Sequence, residues 1–310
     1  MAIFNIFKSN ETKDILEKKK ALWDLRSSRV KAFMFILALI FEVALLIFFA
    51  KEYNLIGEPI PKGKKVAVIN FNEQVTQKYV NKVIKSMDKI KNNKEYSEVL
   101  FIMNSPGGSP AASEELSEYL KNYKKYKDIT MYVQEIAASG GYYIASAIKP
   151  LIANKNAIVG SIGVIMPHYN IGKLADKIGV EEDDISSGKY KKPISLFSKV
   201  SDENRAYLKK QLLTPTYNNF INSVAKNRGI SREKLLPFTE GKIYIANNKE
   251  IKGILVDKIS VLYKVKDNIK KRVGKKVSFV DILPKDKVGF LKDKIEFNFS
   301  LNTKFNNGLK

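Results

Sequence analysis

A serine set among the smallest side chains available is the first residue here whose surroundings point to chemistry. In "VQEIAASGGYYIASA" (133–147) a β-type run collapses into Ala137 and Ala138, and a helical run starts after Ser139 and Gly140. At such a junction a hydroxyl lies near the positive end of the helix dipole, and small neighbours let a carbonyl approach the serine and the next backbone N–H together. Taken alone, the same pattern also describes an ordinary helix N-cap. A second loop, "NSPGGS" (104–109), follows another strand-like run and exposes consecutive N–H groups at Gly107 and Gly108, which suits an oxyanion hole. Alone it also reads as a Pro-Gly turn. "GSIGVI" (160–165) adds Ser161 among glycines, and "SSGKYKKP" (186–193) supplies Lys189, Lys191 and Lys192.

A serine nucleophile needs a base. A lysine serves only when neutral, which requires its pKa to fall from about 10.4 through burial or nearby cations; Lys189, Lys191 and Lys192 of the 186–193 loop stand close enough in sequence to act on one another in that way. The rival base is His168, the single histidine, 29 residues after Ser139. One histidine and no cysteine remove multi-histidine and thiolate metal sites as well as disulfides, and neither a metal nor a cofactor is expected.

The elements that must hold these residues fall into an anchor and a body. Residues 32–50, "AFMFILALIFEVALLIFFA", are apolar except for Glu42 and just span a hydrocarbon core of about 30 Å at about 1.5 Å per residue. The basic segment 1–31 before them places the N-terminus in the cytoplasm and the body outside by the positive-inside rule. The formal charge of +22 suits an anionic partner such as a lipid surface, or simply solubility, because lysines are scattered along every segment. No zinc-finger, Walker or RNA-binding signature occurs, and no nucleic-acid partner is expected. After a linker (51–64), strand and helix patterns alternate: "KVAVINF" (65–71), a helix with Val80, Val83, Ile84, Met87 and Ile90 at helical spacing, "EVLFIMN" (98–104), a helix after "SPGGSP", "ITMYVQE" (129–135), two short strands in "LIANKNAIVGSIGVIM", a helix "IGKLADKIG", a helical region from Asp202 to about Arg228, and a last βα section ending in "VLYKVKDNIKKRV". That alternation predicts an α/β fold with parallel strands. The body is expected over 65–284, and 285–310 reads as an extension or partner-binding arm.

"NSPGGS", "AASGGYYIA", "GSIGVI", "SGKYK" and "GKIYIANNKEIKGILVD", in this order behind one N-terminal apolar helix, resemble the signal peptide peptidase A family, the membrane-anchored Ser-Lys proteases of the ClpP/crotonase superfamily. The resemblance covers roughly residues 65–275. It implies a fold of repeated ββα units. It also implies Ser139 as nucleophile, Lys191 as general base, Ser161 as the residue orienting that lysine, and Gly107, Gly108 and Gly140 as oxyanion-hole donors. Two departures stand out: no basic residue precedes Asn104, and Lys192 follows the base where an acidic or small residue is common. The resemblance further implies a single-pass protein of the bacterial inner (cytoplasmic) membrane, held in lipid by 32–50. It would be a homo-oligomeric ring in which neighbouring copies share each site, acting on apolar peptides such as released signal peptides. The alternatives are a Ser139–His168 peptidase of the ClpP type and a non-catalytic, membrane-tethered scaffold.

Overall fold

The computed structural model describes residues 2–52, 63–274 and 276–284. The linker reading over 53–62 and the arm reading over 285–310 lie outside the described residues. The chain divides near Pro61 into two compact units.

The first unit is one helix, α1 (Ala2–Glu52), which contains the apolar run and extends through the basic segment before it. Within it, Ile15–Ala50 is long and apolar enough to cross a membrane, by length and composition.

The second unit is built on an eight-stranded sheet. In chain order it runs β1 (Lys64–Phe71), α2 (Gln77–Ile90), β2 (Tyr96–Ser105), α3 (Pro110–Tyr123), β3 (Asp128–Ala138), α4 (Gly140–Ser146), β4 (Leu151–Ala153), β5 (Ile158–Gly160), α5 (Gly172–Ile178), α6 (Asp202–Leu208), a π-helical turn (Lys209–Leu213), α7 (Thr214–Arg228), α8 (Arg232–Leu235), β6 (Ile243–Ile245), β7 (Lys258–Ile259), α9 (Leu262–Val273) and β8 (Val277–Asp281). The strand order is β6-β5-β3-β2-β1-β8, with β4 pairing β3 and β7; only the β5–β6 pair is antiparallel.

The central strands are apolar on both faces because both are covered, which is why they read as continuous hydrophobic runs. Ala67, Ile69 and Phe71 of β1, Val99, Phe101 and Met103 of β2, and Met131 and Val133 of β3 belong to the larger core, shared with α2, α3, α4 and α7. The alternate residues Val66, Val68, Leu100, Ile102 and Tyr132 face Val265 and Ile269 of α9. Helices α2 and α3 start on side-chain caps: Thr76 accepts from the Tyr79 N–H, and Ser109 accepts from the Ala112 N–H with Pro110 just inside α3. Strand β8 had no counterpart in the sequence reading; it completes the sheet beyond β1, in parallel register from Lys64↔Val277 to Val68↔Asp281. The helical region from Asp202 to Arg228 is interrupted by the π turn, where the Thr214 N–H donates to the Lys209 carbonyl, five residues back.

Candidate active site

Strand β3 and helix α4 meet at Ser139. Its backbone is at φ 52°, ψ −122°, a conformation that L-residues adopt at a cost of about 1–3 kcal/mol. The junction is pinned on both sides: the Ser139 N–H donates to the Gly160 carbonyl (2.9 Å), and the Ser139 carbonyl accepts from the Tyr143 N–H (2.9 Å). With the backbone so fixed, the hydroxyl makes no cap to the helix it precedes. Ser139 thus holds the N-cap position without giving the helix a side-chain cap.

Ser161 leaves the neighbouring strand beside it. The parallel register Ala138↔Gly160 sets the two serines side by side at adjacent strand ends. Ser161 also has a positive φ (51°), held by its N–H donating to the Lys242 carbonyl (2.7 Å). Ser139, Ser161, Gly107 and Gly108 line one cleft of about 720 Å³, with Gln74 and Glu240 at its rim. Ser139 also opens onto a second cavity of about 320 Å³, walled by Ser113, Glu114 and the stacked Tyr143–Phe220 pair (ring centroids 5.0 Å apart).

The glycines divide into two kinds. Gly107 donates its N–H to the Ser105 Oγ (3.3 Å). What Gly107 supplies is space: a Cβ there would lie 2.7 Å from the Ser139 Cβ. The N–H groups of Gly108 and Gly140 have no acceptor among the described residues. The two are close, since a Cβ on Gly140 would meet the Gly108 nitrogen at 3.2 Å and would overlap the Ser113 Oγ. Ser113 was not singled out in the sequence. It is fully buried, donates to the Ser109 carbonyl (2.8 Å), and supports this loop from behind.

Lys191 is not brought to these serines. It lies in an exposed loop, its N–H donating to the Gly188 carbonyl (3.0 Å), and lines neither cavity on which Ser139 opens. Its cationic neighbours are neutralised. Lys189 pairs with Glu203 (2.5 Å), and Lys192 pairs with Glu182 (2.5 Å) and Asp184. Those hydrogen bonds hold both ammonium groups above their ordinary range, so neither supplies the free positive charge expected to act on Lys191. His168 is likewise elsewhere: it lines a neighbouring cavity, and its Nε2 lies 2.7 Å from the Ser195 carbonyl, to which it donates.

A hydroxyl with no cap of its own, beside two unpaired N–H groups at a helix start, is the arrangement that acyl transfer uses. Residues 121–277 match the sequence profile described as "Peptidase family S49". The chain belongs to peptidase family S49. This S49 chain is 33% identical over 199 residues to a protein of Synechocystis sp. named as a protease, a match covering 63% of this chain and 70% of that one. It is 35% identical over 176 residues to a protein of Methanocaldococcus jannaschii also named as a protease (57% and 56% covered). It is 33% identical over 187 residues to an Enterococcus faecium protein named as the signal peptide peptidase SppA (60% and 54%). The matched stretch thus spans little more than half the length of the Methanocaldococcus and Enterococcus relatives. The S49 assignment and the name of the Enterococcus relative agree with the signal peptide peptidase A resemblance read from the sequence, and the body is a mixed α/β unit.

Proposed function

We propose that this S49 protease is a membrane-anchored serine endopeptidase that uses Ser139 as nucleophile and Lys191 as base. The observation that carries the reading is the pinned, positive-φ Ser139, whose hydroxyl is uncapped beside the unpaired N–H groups of Gly108 and Gly140. Ser139 attacks a peptide carbonyl and passes its proton to a neutral Lys191 amine. The Gly108 and Gly140 N–H groups hold the developing oxyanion. On collapse the proton goes to the leaving amine, and Lys191 then activates the water that hydrolyses the acyl-enzyme. Ser161, side by side with Ser139, accepts the role of orienting the lysine.

Because Lys191 lines neither cavity of its own chain, the base comes from a second copy. A neighbour seated on the segment around Lys191 would also cover Leu174, Ile178, Ile185 and Leu196, four apolar side chains exposed in the single chain. The substrate is an extended, apolar peptide near the membrane, such as a released signal peptide, adding as a strand beside Gly108.

The test is hydrolysis of a short apolar fluorogenic peptide by the detergent-solubilised full chain and by Ser139→Ala, Lys191→Ala and His168→Ala. The first two are expected to be inactive and the third active. Mixing the Ser139→Ala and Lys191→Ala chains under exchange conditions should restore part of the activity, because one interface then carries both intact groups. Survival of Lys191→Ala together with loss in His168→Ala would overturn the dyad, and failure of the mixture to recover would overturn the shared site.

A further inference from the structure

The two ends of the sheet differ in charge. The cavities on which Ser139 opens are lined by one charged residue each, Glu114 and Glu240, both acidic, in a chain of net charge +22. A separate groove of about 430 Å³ lies at the other end, where β3 and β4 begin, bounded by α9. Asp128 opens β3 there, and Ser139 follows its last residue. Eleven strand residues, about 36 Å, therefore separate this groove from the nucleophile.

The groove has the build of a site for an anionic amphiphile. Its floor is apolar, formed by Ile152, Val265 and Ile269, with Val265 and Ile269 buried. Its rim carries Lys124, Lys149, Lys258 and Arg272 against one acid, Asp128. Arg272 is fixed in place by the buried Glu98, donating from Nη2 (2.8 Å) and Nε (3.1 Å). Lys149 is partly held by donating to the Arg228 carbonyl (2.9 Å). No side-chain ion pair engages Lys124 or Lys258 among the described residues. Parallel pairing from β8 through β4 puts the start of β1, where the chain enters the body at Lys64, at this same end of the sheet.

We propose that this groove binds the headgroup and first acyl carbons of an anionic phospholipid, so that the body carries a lipid site of its own besides the apolar helix. Ammonium and guanidinium groups on long stems suit a phosphate at the membrane surface, and the isoleucine and valine floor suits the glycerol ester and upper chain. The choice of lipid over other anions rests on reading α1 as an anchor; the site is independent of the roles given to Ser139 and Lys191.

The test uses the full chain in a neutral detergent, with hydrogen–deuterium exchange read at residues 124–130 and 258–272 during titration with dihexanoyl phosphatidylglycerol, dihexanoyl phosphatidylcholine or inorganic phosphate. Protection by phosphatidylglycerol is expected at concentrations at least about tenfold below those of the other two. The double variant Lys124→Ala/Lys258→Ala should raise that concentration by at least about tenfold, at roughly fivefold per cation removed. Peptide hydrolysis, or the unfolding midpoint, reports that the variant has kept its fold. Equal protection by phosphatidylcholine, equal protection by phosphate alone, or a double variant that binds like the parent would each overturn the proposal. Loss of hydrolysis in Ser139→Ala with unchanged lipid protection would leave it standing.

Discussion

Replacing Ser139 by glycine should stabilise the protein while abolishing its activity, and the size of the effect follows from the backbone. At φ 52°, ψ −122°, residue 139 occupies a region natural to glycine and costly for any residue with a Cβ. The cost is about 1–3 kcal/mol. Against it stands the larger freedom that glycine gives the unfolded chain, about 0.4–1 kcal/mol. Ser139→Ala removes the hydroxyl but keeps the Cβ, so it inherits the strain. Ser139→Gly should therefore exceed Ser139→Ala in stability by roughly 1.3 kcal/mol, the difference of the mid-values of these two terms. For a unit of this size that is a rise of roughly 3–5 °C in Tm, at about 2–4 °C per kcal/mol. The comparison between the two variants matters more than either against the parent, since both lack the nucleophile. The assay is thermal unfolding of the detergent-solubilised chains, with urea unfolding as a second measure. A glycine variant no more stable than the alanine variant would refute the strain argument, and with it the idea that the fold holds this hydroxyl against its own backbone preference.

Ser161, at φ 51°, should behave in the same way in a Ser161→Gly against Ser161→Ala comparison of Tm. Gly140→Ala should lower hydrolysis about 10²–10³-fold, the usual effect of losing one oxyanion donor, because the new methyl overlaps the Ser113 Oγ and lies 3.2 Å from the Gly108 nitrogen; steady-state kinetics reads it. Asp257→Asn should cost roughly 3–5 kcal/mol in urea unfolding, because it strips the counter-charge from the fully buried Arg228 side chain. Burial alone pushes the Asp257 carboxyl up, but the Arg228 hydrogen bonds and charge, the Leu151 N–H (2.6 Å) and Lys149 outweigh it and hold it below the usual range. A depressed folded-state pKa gives stability that is present above the unfolded value of about 3.9 and lost as pH falls through the folded one, so parent and Asp257→Asn should converge in stability below about pH 4.

What could be read from the sequence was what depends on neighbours in the chain. The buried strands β1, β2 and β3 and the helices α2, α3 and α9 announce themselves by runs and spacings of apolar residues within a dozen positions. Ser139 was placed at its strand–helix junction from the small residues around it. Strand β8 was not legible, because "VSFVD" is short and its reason for being a strand is β1, more than two hundred residues earlier. The use of the Gly107 N–H by Ser105, the support from Ser113, and the carboxylates that neutralise Lys189 and Lys192 all depend on where chains cross in space, and no local pattern encodes them. Lys191 is the sharpest case. The family spacing singles it out among the lysines of its loop, yet the folded chain holds it away from both serines, and spacing carries no information on distance in space.

The π turn at Lys209–Leu213 has a consequence for how this protein tolerates length changes. It holds one residue more than an α-helical turn needs, and each residue turns a helix by about 100°. Everything after it on α7 is indexed by that surplus residue, including Thr216, Asn219 and Phe220, which line the smaller cavity beside Ser139, and Tyr217, which lines the larger. A deletion of any single residue within 209–213 would leave a perfectly good helix that presents the wrong side to the nucleophile. The width of the cavity is thus stored as a count of residues rather than as the identity of any one of them.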